Sequence, residues 1–158
     1  GASVGAAPPD PARIAAAEAL VDDWLARQLA ENPTVEAAER DTSTSDRRWY
    51  VRVTGEQKAV FSIWFHLRQR SLLVETYLMP APEEQVAECY EFLMRRNAKL
   101  RGLVLCIGLE DAVYLQGELP VEHLDEAALD RVLGSVYEGV ERTFRPAMRL
   151  GFASRFEG

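Results

Sequence analysis

Residues 91–120, EFLMRRNAKLRGLVLCIGLEDAVYLQGELP, decide the fold. The first half reads as the end of a helix. Leu93 and Asn97 continue an inner stripe begun by Val86 and by Cys89 and Tyr90, and Arg95, Arg96 and Lys99 crowd the last turn, where cations complement the helix dipole. Gly102 follows, the residue type that stops a helix. The second half alternates twice, over Leu103–Leu109 and Ala112–Leu119, across a turn at Glu110-Asp111. It predicts two antiparallel strands. The stretch carries architecture and no evident chemistry.

Working outward, the helix begins after Pro80-Ala81-Pro82, with Glu83, Glu84 and Gln85 expected in its first turn. Before it, Ser71–Met79, Ala59–Leu67 and Arg47–Val53 alternate as strands joined by short turns, and Val35–Arg40 reads as a weak edge strand. An opening helix is predicted from Pro9 to Asn32, capped by Asp10 with Pro11 in its first turn. A closing helix is predicted from Asp125 as cap, ending at Pro146. A tail follows it, carrying Phe152 and Phe156. The order is α-ββββ-α-ββ-α. Short connections make the strands antiparallel, and three helices can cover one face, so the expected class is an α+β two-layer sandwich.

The chain has 158 residues, enough for one domain, here assigned to residues 10–158. Residues 1–9 lack the basic start and apolar core of a signal peptide and read as a disordered leader or tag remnant. No apolar run is long enough to span a bilayer. The expected location is the cytoplasm. The net charge of −7 opposes non-specific binding to nucleic acid and adsorption to anionic membranes. Cys89 and Cys106 lack metal or redox spacing and read as small buried hydrophobes.

Strand alternation separates two sheet faces. One collects Trp49, Val51, Val53, Phe61, Ile63, Phe65, Leu67, Leu72, Val74, Leu78, Leu103, Leu105, Ile107, Val113, Leu115 and Leu119, and is assigned to the core. The other collects Tyr50, Arg52, Val60, Ser62, Trp64, His66, Leu73, Glu75, Tyr77, Val104, Cys106, Tyr114, Gln116 and Glu118. Its four aromatic rings can each present roughly 150–250 Å², and aromatic, Arg and amide chemistry is what interfaces enrich. Three readings stand open: a face partly covered by the first helix or the tail, a homodimer or partner surface, and a small-ligand site.

Nothing in the sequence supplies a reaction. His66 and His123 lack companion ligands at metal spacing. No serine occupies a nucleophile elbow, and no phosphate-binding glycine loop is present. The carboxylate groups fall at helix starts and turns, where acids have local roles. The cluster Arg95, Arg96, Lys99 and Arg101 is first a helix ending and second a docking site for an acidic partner. No catalytic residue, cofactor or metal is assigned. The candidate partner-binding residues are Tyr50, Trp64, His66, Tyr77, Tyr114, Arg95 and Arg96.

Several motifs together resemble the YbjN family in its actinobacterial form. They are Trp64-Phe65, Glu75–Glu83 (ETYLMPAPE), Tyr90-Glu91, Arg95–Leu100 (RRNAKL), Glu110–Leu115 (EDAVYL) with Gly117, Leu124-Asp125, Leu129-Asp130 and Phe144–Arg149 (FRPAMR). The resemblance covers roughly residues 11–157. It implies a fold like that of type III secretion chaperones and a role in sensory transduction linked to stress responses. It also implies non-enzymatic binding of segments of a client protein, often as a dimer. It carries no catalytic residues. The alternative function is a small-ligand sensor with a pocket between helices and sheet, lined near His66 or Tyr114.

Overall fold

Asp10 opens the first helix: its carboxylate accepts the Ala12 N–H at 3.0 Å in the manner of an N-cap. The computed structural model describes residues 10–155, so the expected leader and Phe156 lie outside the described residues. Helix α1 runs Pro11–Glu31 and buries Ile14, Ala17, Val21, Trp24, Leu25 and Gln28 on one stripe. Strands β1 (Val35–Arg40), β2 (Arg48–Thr54), β3 (Val60–Leu67) and β4 (Ser71–Met79) follow. Helix α2 (Val86–Asn97), strands β5 (Leu103–Ile107) and β6 (Val113–Pro120), and helix α3 (Glu126–Gly151) complete the expected order. The six strands form one sheet, β1-β2-β3-β4-β6-β5, antiparallel at every pairing. The architecture is an α+β two-layer sandwich.

The core lies between the sheet and the helices. Trp49, Val51, Phe65, Leu72, Val74, Leu78 and Leu115 on the sheet, with Trp24, Leu129, Val136 and Val140 on the helices, are all buried. Trp24 meets Phe65 edge to face at 5.6 Å. Its indole N–H donates to Asp130 at 2.9 Å, and the Gln28 amide donates to the same oxygen at 3.3 Å, which ties α1 to α3. The Trp49 indole donates to Asp22 at 2.7 Å and ties β2 to α1. Cys89 is buried, Cys106 is half-buried, and both are free thiols. One core assignment fails. Ile107 has the right parity but is 56% exposed, because it ends β5 at a corner of the sheet and borders a shallow apolar groove beside α2.

Two helix boundaries differ from expectation. Pro146 does not end α3, which continues to Gly151. Proline lacks the N–H that would bond the carbonyl four residues back. That carbonyl, of Arg142, instead accepts from Arg96 Nη2 at 3.5 Å. The tail then packs on its own chain. Phe152 is buried, the Ser154 hydroxyl donates to Glu84 at 2.7 Å, and Arg155 pairs with Glu83. Glu83 and Glu84 are therefore outside α2. Their backbone N–H groups donate to the Gly151 carbonyl at 3.0 and 2.9 Å, satisfying an orphan acceptor at the end of α3. Gln85, at positive φ, turns the chain into α2. A side chain at Gly151 would sit 2.8 Å from Pro82, so this junction demands glycine.

Asn97 closes the outer edge of β5. Its side-chain oxygen accepts the Leu105 N–H at 2.6 Å, and its amide donates to the Leu105 carbonyl at 3.2 Å. An edge strand with unpaired groups is a template for pairing with another chain, and one side chain occupies that template at its centre. Asn97→Ala leaves both groups of buried Leu105 unpartnered, at an expected cost of about 1–3 kcal/mol. Thermal unfolding should fall by roughly 2–12 °C. An unchanged melt would mean that the edge does not need its cap.

Candidate functional site

The sheet face turned away from the helices is organised in rows. One row crosses all six strands: Glu39, Tyr50, Trp64, Glu75, Gln116 and Val104 stand opposite one another in register. The Tyr50 and Trp64 rings lie 5.2 Å apart, tilted at 46°. The Arg48 guanidinium lies over Trp64 at 4.1 Å, a cation–π contact. The Gln116 amide donates to Glu75 at 2.9 Å. The Tyr50 hydroxyl donates to Glu39, and that bond holds its pKa above the ordinary tyrosine value. Beside this row Tyr77 faces Tyr114 and Tyr114 faces Cys106. The two tyrosine rings meet edge to face at 5.7 Å. His66 stands in a third row between Arg48 and Leu73.

Between these rows lies an open depression of about 590 Å³, lined by Arg48, Arg52, Ser62, Trp64, Tyr77 and Tyr114 among others. Ser62, the smallest side chain of its neighbourhood, leaves the space between Trp64 and Tyr77. The rim is accessible: Tyr77 is 43%, Val60 45% and Leu109 79% exposed.

One end of the face is fastened to the helix layer. Glu141 of α3 accepts the backbone N–H of Glu56, of Gln57 at 2.9 Å and of Lys58 at 3.0 Å. A side chain at Gly55 would collide with that carboxylate at 2.7 Å. The turn so held places the Lys58 ammonium against the carbonyls of Tyr77 and Leu78 at 2.8 and 2.9 Å and over the Tyr77 ring at 5.1 Å. Burial pushes Lys58 down to about 8 from 10.5. Between those values the unfolded chain holds a proton that the native state lacks. The Lys58 contribution to stability therefore rises with pH through that window, with a slope of up to about 1.4 kcal/mol per pH unit. Thermal unfolding of the wild type relative to Lys58→Met should improve from pH 8 to 10.5. A gap independent of pH would contradict this.

The structure brings Tyr50, Trp64, Tyr77, Tyr114 and His66 onto one face. It does not bring Arg95 and Arg96 there. Arg95 pairs with Glu91 along α2 at 3.4 Å, while Arg96 reaches the α3 backbone, in the helix layer. His66 and Tyr114 face away from the helices, so neither lines a pocket between helices and sheet. Arg48 and Lys58 join the face without having been singled out. The parity of Arg48, shared with Tyr50 and Arg52, was a readable signal, whereas Lys58 arrives through a turn. Among the described residues no group of three His, Cys, Asp or Glu could hold a metal ion, and no helix is long and apolar enough to cross a membrane.

The YbjN family model, described as "Putative bacterial sensory transduction regulator", matches residues 19–148. The chain belongs to the YbjN family. Similar family relatives include the uncharacterised proteins Rv0487 of Mycobacterium tuberculosis, 32% identical over 107 residues, and ML2442 of Mycobacterium leprae, 30% identical over 110. These alignments cover 68% and 70% of this chain and only 58% and 60% of the relatives. Among solved structures, a chain of the heterodimeric ExoU–SpcU complex from the type III secretion system of Pseudomonas aeruginosa superposes with a TM-score of 0.57 at 18% identity. That match covers 80% of this chain and 96% of the other. A chain of the HopA1–SchA chaperone–effector complex gives 0.56 at 18% identity, covering 88% and 99%. At these identities the likeness is one of fold, and the YbjN-family sandwich is type III secretion chaperone-like.

Proposed function

We propose that this YbjN-family chain is a non-enzymatic, chaperone-like regulator that binds a segment of another protein on the outer face of its sheet. The reading rests on one observation: a cross-strand row and its neighbours present aromatic rings, guanidinium groups and amides on a face that no described helix packs against. Tyr50, Trp64, Tyr77, Tyr114 and His66 supply contact area, and Arg48 and Arg52 supply charge complementarity. A chain of the same fold belongs to a solved chaperone–effector complex, which supports a binding role without naming a partner. Arg95 and Arg96 sit in the helix layer and fall outside this surface. In this reading the chain acts in the cytoplasm, and the face holds either a client or a second copy.

Site-specific photo-crosslinking tests the proposal. A benzophenone amino acid at Tyr77 or Val60 should give discrete protein adducts in native lysate, and the same group at exposed Arg131 on α3 should not. Adducts from Arg131 and none from the sheet would move the binding surface to the helices.

A further inference from the structure

A cavity of about 240 Å³ between the end of α2 and the middle of α3 is lined by four cationic side chains, Arg96, Lys99, Arg101 and Arg142, against one carboxylate, Glu138. The negative end of α2 accounts for Arg96 and Lys99. It does not account for Arg101, which lies beyond the helix, nor for Arg142, which projects from α3. In a chain of net charge −7, this concentration of cations in a concave site calls for an anion.

The local bonding leaves donors free to meet one. Arg142 is steadied by Glu138 at 2.8 Å. Arg96 spends Nη2 on the Arg142 carbonyl that Pro146 leaves without a helical donor and lies over the Phe92 ring at 5.4 Å; its Nε is too buried to reach a ligand, so Arg96 contributes charge to the wall more than free donors. The side chains of Lys99 and Arg101 have no carboxylate partner among the described residues. Ser135 adds a hydroxyl to the wall.

We propose that this cavity binds the diphosphate group of a small molecule. Four cations less one carboxylate leave three positive charges. A terminal phosphate carries roughly −1.5 to −2 at neutral pH and the bridging phosphate of a diphosphate ester about one charge more, so a diphosphate group, at about −3, matches the excess and a single phosphate does not. Planar guanidinium groups bind phosphate oxygens in bidentate fashion. The volume lies below the ~300–1,000 Å³ of sites that enclose a drug-sized ligand, so the cavity takes the diphosphate and leaves the rest of the molecule outside. This site lies in the helix layer and does not depend on the reading of the sheet face.

Titration calorimetry with inorganic pyrophosphate at near-physiological salt tests it on the full chain. Pyrophosphate should bind with one-to-one stoichiometry, and about tenfold more tightly than orthophosphate, sulfate or citrate. The double variant Arg101→Ala/Arg142→Ala should weaken it by about tenfold or more, whereas Arg68→Ala, in the distant β3–β4 turn, should not. Amide shifts in the native protein locate the site without substitution and should centre on Leu100, Ser135 and Gly139. ADP and a doubly phosphorylated peptide serve as further arms. ADP matching pyrophosphate supports a small-molecule source, and binding by the peptide alone overturns it. Absence of saturation, shifts scattered over the surface, equal binding of citrate, or an unaffected double variant would also overturn the proposal.

Discussion

Trp24→Ala is expected to cost about 3–5 kcal/mol, the range for deleting a buried large aromatic. That is a large share of the ~5–15 kcal/mol that holds a typical domain together. Trp24 is fully buried and acts twice: its ring fills the space against Phe65, and its N–H reaches Asp130 on α3. Thermal unfolding should fall by roughly 6–20 °C. Trp24→Phe separates the two contributions. It keeps most of the ring and loses the donor, and because Asp130 is exposed its carboxylate can turn to water. The Phe variant should therefore lose only about 1–2 kcal/mol, the bond together with the smaller ring. Equal losses in the two variants would mean that the bond to α3, and not the packing against Phe65, carries the contribution of Trp24.

The double variant Trp64→Ser/Tyr77→Ser should behave in the opposite way. Trp64 and Tyr77 stand on the face away from the core, Trp64 half-buried and Tyr77 exposed. Their truncation opens no cavity between helices and sheet, although it removes the contacts of Trp64 with Tyr50 and Arg48. The expected stability loss is about 1–2 kcal/mol, since cross-strand pairs contribute roughly 0.2–1 kcal/mol each. Binding should suffer far more. Buried Trp and Tyr anchors at interfaces commonly cost about 2 kcal/mol or more apiece, so losing both should weaken a partner's affinity by at least thirtyfold, a conservative figure of about 2 kcal/mol for the pair. A variant that unfolds would mean that the face is part of the core.

Much of the fold was legible because strand parity is a local signal. Once Trp49, Val51 and Val53 are set inward, Tyr50 and Arg52 must point outward, and the same logic sorts β3, β4 and β6. It failed at Ile107, where parity gives the side but not the reach of the covering helix. Pro146 misled because its missing bond is replaced from α2, a contact remote in sequence. Glu83 and Glu84 resembled a helix start, yet they serve the end of α3, some 70 residues away in the chain. The aromatic face was legible as a set, but the Glu141 clasp on the β2–β3 turn was not, because one carboxylate among many gives no sign of its partner. Arg95 and Arg96 are adjacent in sequence and divergent in space, as neighbours on a helix are, and only the packing of α2 on α3 shows which of them enters the basic cavity.

The most direct measurement is the dissociation constant of the protein recovered by crosslinking from Tyr77, taken on the wild type and on Trp64→Ser/Tyr77→Ser at a temperature where both are folded. The account predicts a weakening of at least about thirtyfold, with circular dichroism unchanged. Equal affinity in two folded proteins would contradict the claim that the outer sheet face is the binding surface.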